Sequence, residues 1–154
     1  RTGVNMLPST VARLCGLQNI VGIKEGSGSV QQASEIASAC GDRMTVLAGD
    51  DALTLPMMAV GGKGVISVTS NIVPSEMAQL VKAFLSGRID EARRIHFALS
   101  PLFTALFYET NPIPVKTALG MMGKIDPELR LPLCAMATET KSQLTQVLKD
   151  AGLV

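Results

Sequence analysis

The sequence lacks several features on which common protein functions depend. It contains no tryptophan and a single histidine, His96, which has no cysteine or acidic residue at metal-ligand spacing. No apolar stretch approaches the roughly 18 residues of a membrane helix, and no signal segment opens the chain. The 14 basic and 13 acidic residues are spread without runs and leave a net charge of +1, which indicates no surface for nucleic acid. These absences favour a cytoplasmic protein and leave small neutral or anionic metabolites open as ligands.

Cysteine is scarce and irregularly placed. Cys15, Cys40 and Cys134 are an odd set without CxxC spacing, which argues against a disulfide framework and against a structural zinc site. We therefore expect three reduced, buried and inert thiols, since free cysteine packs as a small hydrophobe.

What is present is a chain of 154 residues, 47% of them hydrophobic, which is enough for one substantial core. The chain opens with Arg1-Thr2-Gly3, without an initiator methionine, and enters patterned structure almost at once. We expect it to be one compact part of a longer protein.

The first half of the chain alternates between two periodicities. Ile20 to Ile23 is a continuous apolar run that predicts a strand buried on both faces, with Lys24 and Glu25 at its carboxyl end. A glycine that follows a helical pattern predicts the end of the helix. Gly16, for example, is predicted to cap the first helix in the left-handed conformation. The predicted order is helix 8–15, strand 20–23, helix 30–40, strand 44–48, helix 50–60, strand 64–69 and helix 73–86. Such alternation indicates an α/β fold with a parallel sheet.

After Gly87 the strand patterns stop. Residues 89–108, 114–122 and 139–151 all have helical spacing, and prolines separate them. We therefore divide the chain into a portion of a barrel, residues 1–87, and a C-terminal helical region, residues 88–154. On the pattern alone, a doubly wound open sheet remains the alternative.

Three motifs could carry chemistry but have a structural interpretation as well. Gly26-Ser27-Gly28 lacks the third glycine of a dinucleotide-binding loop, and Gly61 to Gly64 follows a helix instead of preceding one. Asp50-Asp51 opens a helix after a strand, so it is either a helix cap or part of a site.

Lys24 is the strongest candidate for catalysis. A lysine at the carboxyl end of a buried parallel strand points to the face where α/β barrels build their active sites. A desolvated neutral amine at that position can attack a ketone and form an imine. The alternative is a lysine paired with a nearby acid.

Four motifs, in order along the whole chain, resemble the dihydrodipicolinate synthase and N-acetylneuraminate lyase superfamily. They are Arg1-Thr2-Gly3, the lysine segment 20–25, the strand and loop 61–71, and the C-terminal segments 111–116 and 129–132. Gly49-Asp50-Asp51 and residues 67–71 are similar to the synthase branch.

The resemblance implies strands six to eight of a (β/α)8 TIM barrel followed by a C-terminal helical extension. It implies that Lys24 forms the imine, that Arg1 meets a substrate carboxylate, and that Gly49 and the backbone carbonyl of Ile66 line the pyruvate pocket. The implied reaction condenses pyruvate with aspartate semialdehyde in lysine and diaminopimelate biosynthesis, without a metal or cofactor. The implied partners are the missing N-terminal half and further copies in a homotetramer.

The resemblance also leaves two alternatives. One is a sialic acid or keto-sugar aldolase on the same barrel, and the other is a non-catalytic half-barrel. The proton relay of the family, a threonine and two tyrosines, falls before the position that matches Arg1, so the chain alone is expected to be inactive.

Overall fold

In a computed structural model, residues 2–154 are described, and the predictions for Arg1 lie outside them. The seven α-helices of this part are α1 Pro8–Leu14, α2 Val30–Cys40, α3 Thr54–Ala59, α4 Pro74–Leu85, α5 Ile89–Ala105, α6 Ile113–Met121 and α7 Thr138–Asp150. The three strands are β1 Gly22–Glu25, β2 Thr45–Ala48 and β3 Gly64–Val65. Short 3-10 turns cover Gly41–Arg43, Asp51–Leu53 and Thr69–Asn71.

The strands form one parallel sheet in the order β1-β2-β3. Lys24 pairs with Leu47, and Leu47 pairs with Gly64, so these residues share one level of the sheet. The predicted alternation of helices and strands in an α/β fold is confirmed.

Two strand predictions were wrong in their extent. β1 begins at Gly22 and contains Lys24, and Val21 is 71% exposed instead of buried. The reason is that β1 is an edge strand of the sheet within the described residues. β3 ends at Val65, not Thr69, because its partner β2 ends at Ala48, which pairs with Val65.

Side chains of a strand alternate between the two faces of a sheet, and here the faces differ sharply. The covered face contains Ile23, Glu25, Val46, Ala48 and Val65, all buried or half-buried. Helices α2 and α3 pack against it, and their Ala33, Ile36 and Met57 belong to its core. The open face contains Lys24, Thr45, Leu47 and Gly49, of which Lys24 and Thr45 are exposed.

Local signals set the ends of the helices. Ser29 caps α2 by accepting the Gln32 N–H at 3.0 Å, and Gly41 ends α2 with a φ of +56°. The Asp50 side chain accepts the Ala52 N–H at 2.9 Å, which confirms its interpretation as a cap. That cap starts a 3-10 turn, so the single helix predicted for 50–60 was wrong. The left-handed cap predicted at Gly16 is also wrong, because the φ of Gly16 is not in the left-handed region.

The chain divides into two compact units. The first comprises the residues up to Ser67 together with Val81–Ala92, and contains the sheet. The second comprises Val68–Leu80 and Arg93–Val154, where α6 packs against α7 and against the turn at Thr69–Asn71. Among residues 2–154, no helix combines the length and apolar character that crossing a membrane requires.

Candidate active site

Lys24 lies on the open face of the sheet, one residue before the carboxyl end of β1. Glu25, its neighbour, points to the covered face and is 2% exposed. The alternation of the strand therefore presents the lysine on the side that helices α2 and α3 do not cover. An exposed amine at the carboxyl edge of parallel strands is accessible to a small ketone.

Gly49 directly follows β2 and lies beside Lys24. Its N–H donates to the Glu25 carbonyl at 2.7 Å. A Cβ at this position would stand 2.8 Å from that carbonyl oxygen and 3.0 Å from Cε of Lys24. Glycine is thus required here because any side chain would displace either the strand or the lysine.

Ile66 follows β3 at the same edge, and its N–H donates to the Ala48 carbonyl at 2.8 Å. Its side chain is 47% exposed. Lys24, Gly49 and Ile66 therefore lie near the carboxyl ends of three neighbouring strands: Lys24 within β1, Gly49 just after β2 and Ile66 just after β3. The fourth predicted site residue, Arg1, lies outside the described residues.

A polar cluster that the sequence analysis did not predict lies behind Lys24. The Glu25 carboxylate accepts the Ser27 N–H at 2.6 Å and the Gln32 Nε2–H at 2.8 Å. Gln32 in turn exchanges two hydrogen bonds with the side chain of Asn5, at 2.8 and 3.0 Å. The period of two in β1 could have placed Glu25 opposite Lys24, but no local pattern indicates that residues 27 apart in the sequence meet.

A pocket of about 460 Å³ opens between β1 and the N-terminal segment. Its lining residues are Gly3, Val4, Asn5, Met6, Ile23, Lys24, Glu25, Gly26, Ser27 and Gln32. The pocket thus joins the candidate nucleophile to the segment that directly follows Arg1.

The other candidate motifs have structural roles. Gly61 has a φ of +113° in the turn from α3 to β3, as expected for a helix-to-strand turn. The ring centroid of His96 lies 5.6 Å from that of Phe97 and 5.4 Å from that of Phe103. Burial lowers the pKa of His96. Among residues 2–154, no group of three histidine, cysteine or acidic side chains is suited to hold a metal ion.

The cysteine prediction was correct for two residues and wrong for one. Cys15 and Cys40 are buried in the core between α1, α2 and β2, where Cys15 Sγ lies 4.0 Å from the Cys40 carbonyl oxygen. Cys134 is exposed because it lies in an irregular segment before α7, outside any packed element.

Comparison with known proteins identifies the family. The sequence model of the Dihydrodipicolinate synthetase family matches residues 1–151. The chain belongs to this family. Two curated members, the 4-hydroxy-tetrahydrodipicolinate synthases of Thermodesulfovibrio yellowstonii and Geobacter sulfurreducens, are each 56% identical to it over all 154 residues. The match covers 53% of each relative, so the chain spans about half the length of these family members.

Solved structures of the dihydrodipicolinate synthetase family have the same fold. The crystal structure of one dihydrodipicolinate synthase is 52% identical in sequence to this chain, and that of the Thermotoga maritima enzyme is 45% identical. Each superposes with a TM-score of 0.96. The match covers 100% of this chain in both cases, and 53% and 54% of the two longer chains. A monomeric dihydrodipicolinate synthase variant also matches, at 45% identity and a TM-score of 0.95. The α/β fold of this family is thus established for the chain.

Proposed function

We propose that this chain supplies the imine-forming part of a 4-hydroxy-tetrahydrodipicolinate synthase, which condenses pyruvate with L-aspartate 4-semialdehyde. The proposal depends on the position of Lys24 on the open face of the sheet, beside Gly49. A Cβ at position 49 would stand 3.0 Å from Cε of Lys24. In the proposed enzyme, residues 1–87 provide strands six to eight of a (β/α)8 barrel and residues 88–154 provide its helical region. The proposal includes a cytoplasmic location and a homotetramer.

Lys24 begins the proposed reaction as a nucleophile. Its Nζ forms a bond to the ketone carbon of pyruvate, and the ketone oxygen leaves as water, which gives an imine. The protonated imine withdraws electrons, so a methyl proton leaves and an enamine forms. The enamine carbon then bonds to the aldehyde carbon of the second substrate. Cyclisation transfers the imine carbon from Lys24 to the amine of that substrate and releases the lysine.

The remaining site residues bind and orient the substrates in this proposal. Gly49 leaves room for Lys24, and the backbone carbonyl of Ile66 lies near pyruvate. Arg1 binds the carboxylate of aspartate semialdehyde, a task for which the fixed fork of guanidinium donors is suited. Expected partners are the preceding half of the barrel and identical subunits.

Borohydride reduction of the imine tests the role of Lys24. The chimaera for this test joins the part of the T. yellowstonii synthase that precedes the matched region to residues 1–154. Incubation with pyruvate and borohydride should add a stable adduct to the peptide that contains Lys24, detected by mass spectrometry. Lys24→Arg should abolish it, because a guanidinium stays protonated and is a poor nucleophile.

Lys63→Arg is the matched control, because Lys63 is also exposed but lies in the turn before β3. It should leave the adduct unchanged. An adduct on Lys63 or Lys116 with Lys24 unmodified would contradict the assignment. Turnover with sugar-derived aldehydes, but not with aspartate semialdehyde, would instead favour a sialic acid or keto-sugar aldolase.

A further inference from the structure

The cluster formed by Glu25, Gln32 and Asn5 has a fixed direction of hydrogen bonding. Glu25 is 2% exposed and Gln32 is 9% exposed, so both polar groups depend on protein partners. In the part of the chain that the structure describes, the partners of the Glu25 carboxylate are two N–H donors and no cation. Hydrogen bonds to a charged acceptor are stronger than neutral ones, so this pairing fixes the Gln32 side chain firmly.

The carboxylate also decides which way the Gln32 amide faces. An ionised carboxylate only accepts hydrogen bonds, so the NH2 group of Gln32 must point to Glu25. The carbonyl of Gln32 is then left to accept from Asn5 Nδ2, at 2.8 Å. The same NH2 group donates to Asn5 Oδ1 and, at 3.4 Å, to the Met6 carbonyl. One buried side chain of β1, whose oxygens accept from Ser27 and Gln32, therefore orients both amides.

Gln32 is the hydrogen-bonding anchor of the N-terminal segment, residues 2–6. Within residues 2–154, the recorded hydrogen bonds of this segment are an internal one, from Val4 N to Thr2 Oγ1, and those to Gln32. The segment is otherwise exposed. Asn5 and Met6 are thus the points at which Gln32 holds this exposed segment beside β1.

We infer that Glu25 and Gln32 are positioning residues that fix residues 2–6, which follow Arg1 in the chain, against the strand that contains Lys24. This inference rests on the proposed function and deepens it: the cluster holds the segment next to the proposed carboxylate-binding residue, and Lys24 forms the imine. Glu25 connects the two groups, because it adjoins Lys24 in β1 and reaches Asn5 through Gln32.

Gln32→Met in the chimaera tests the inference, because it removes every side-chain hydrogen bond and keeps an unbranched side chain of similar length. The KM for aspartate semialdehyde should rise about tenfold, the change expected when one or two net hydrogen bonds are lost. Borohydride trapping of pyruvate on Lys24 should stay within the range of the parent. Gln31→Met is the matched control, since Gln31 is exposed and bonds to Glu35 on the same helix at 2.9 Å. It should change neither quantity.

Two further measurements separate positioning from general damage. Limited proteolysis should cut within residues 2–6 faster in Gln32→Met and not in Gln31→Met, because a segment that has lost its anchor opens more often. Gln32→Glu alone places two carboxylates in contact and should raise the same KM. Glu25→Gln combined with Gln32→Glu restores a donor and an acceptor between these two positions and should recover part of the loss, since a carboxylate at position 32 still accepts from Asn5 Nδ2 but cannot donate to Asn5 Oδ1.

The inference is overturned if Gln32→Met impairs pyruvate trapping as much as use of the aldehyde, if it changes neither, or if the exchanged pair is no better than Gln32→Glu. If the parent chimaera traps no pyruvate on Lys24, the proposed function fails. The rate of proteolysis within residues 2–6 then still decides whether Gln32 anchors the segment.

Discussion

The two faces of the sheet show how packing and chemistry divide within the first unit. On the covered face, Val46 is 2% exposed and packs with Ile36 of α2, and Ala48 is fully buried and packs with Met57 of α3. On the open face, Lys24 and Thr45 are exposed. The residues that stabilise this unit therefore point away from the candidate nucleophile.

The sharpest test of this difference is the activity of residues 1–154 alone. We expect no detectable condensation of pyruvate with aspartate semialdehyde, since the open face leaves Lys24 hydrated and the acid–base groups expected from the family precede Arg1. Positioned acid–base groups contribute about 10²–10⁴-fold to a rate, so their absence alone would reduce turnover to near background. The measurement is a condensation assay of chain of verified mass, beside the chimaera at equal concentration. Equal turnover would show that the open face is complete without further residues.

The next largest effect should come from Gly49, where the open face approaches Lys24 most closely. Gly49→Ala should lower borohydride trapping about tenfold or more in the chimaera, because the new methyl group meets the Glu25 carbonyl oxygen at 2.8 Å and forces a backbone shift. Such overpacking typically costs about 1–3 kcal/mol, which corresponds to that loss. The adduct on the Lys24 peptide is the measured quantity.

Gly26→Ala is the control for this substitution. Gly26 also adjoins the site, but a Cβ there meets nothing within 4 Å. It should retain trapping close to that of the parent. Similar losses in both variants would mean that the space beside Lys24 is not what Gly49 provides.

The sequence predicted the features of this unit that follow from local pattern. Alternating periods indicated the parallel α/β order, and the apolar run before Lys24 indicated that this lysine lies near the carboxyl end of a strand. The same run could not show that Val21 is exposed, because apolar periodicity does not tell whether the covering partner belongs to the chain. The length of β3 depended on where β2 ends. The Gln32–Asn5 contact joins distant positions, so tertiary packing alone could reveal it.

A smaller effect should distinguish neighbouring residues of β2 that point to opposite faces. In the chain alone, Val46→Ala should reduce the free energy of unfolding by about 2 kcal/mol, since it empties part of a buried core. Leu47→Ala should cost less than half of that, because Leu47 is only half-buried on the open face. In the chimaera, the cost of Leu47→Ala should rise if the preceding half covers that face. Urea denaturation followed by circular dichroism measures both, and a larger cost at Leu47 in the chain alone would reverse the assignment of the faces.

The smallest predicted effect concerns the reactivity of the three thiols. The reaction rates of Cys15 and Cys40 measure how readily solvent reaches the core that packs against the covered face. With a thiol reagent at pH 8, the folded chain should react quickly at Cys134 and slowly at Cys15 and Cys40, because the last two are buried. Burial, the hydrogen bond to Cys15 and the charge of Cys15 raise the pKa of Cys40 to about 11. At pH 8 only about one Cys40 in a thousand would then be the reactive thiolate. Cys134→Ser should remove the fast phase, whereas all remaining thiols should react once the chain is unfolded in denaturant. A fast phase that persists in Cys134→Ser would mean that the core beneath the covered face opens readily to solvent.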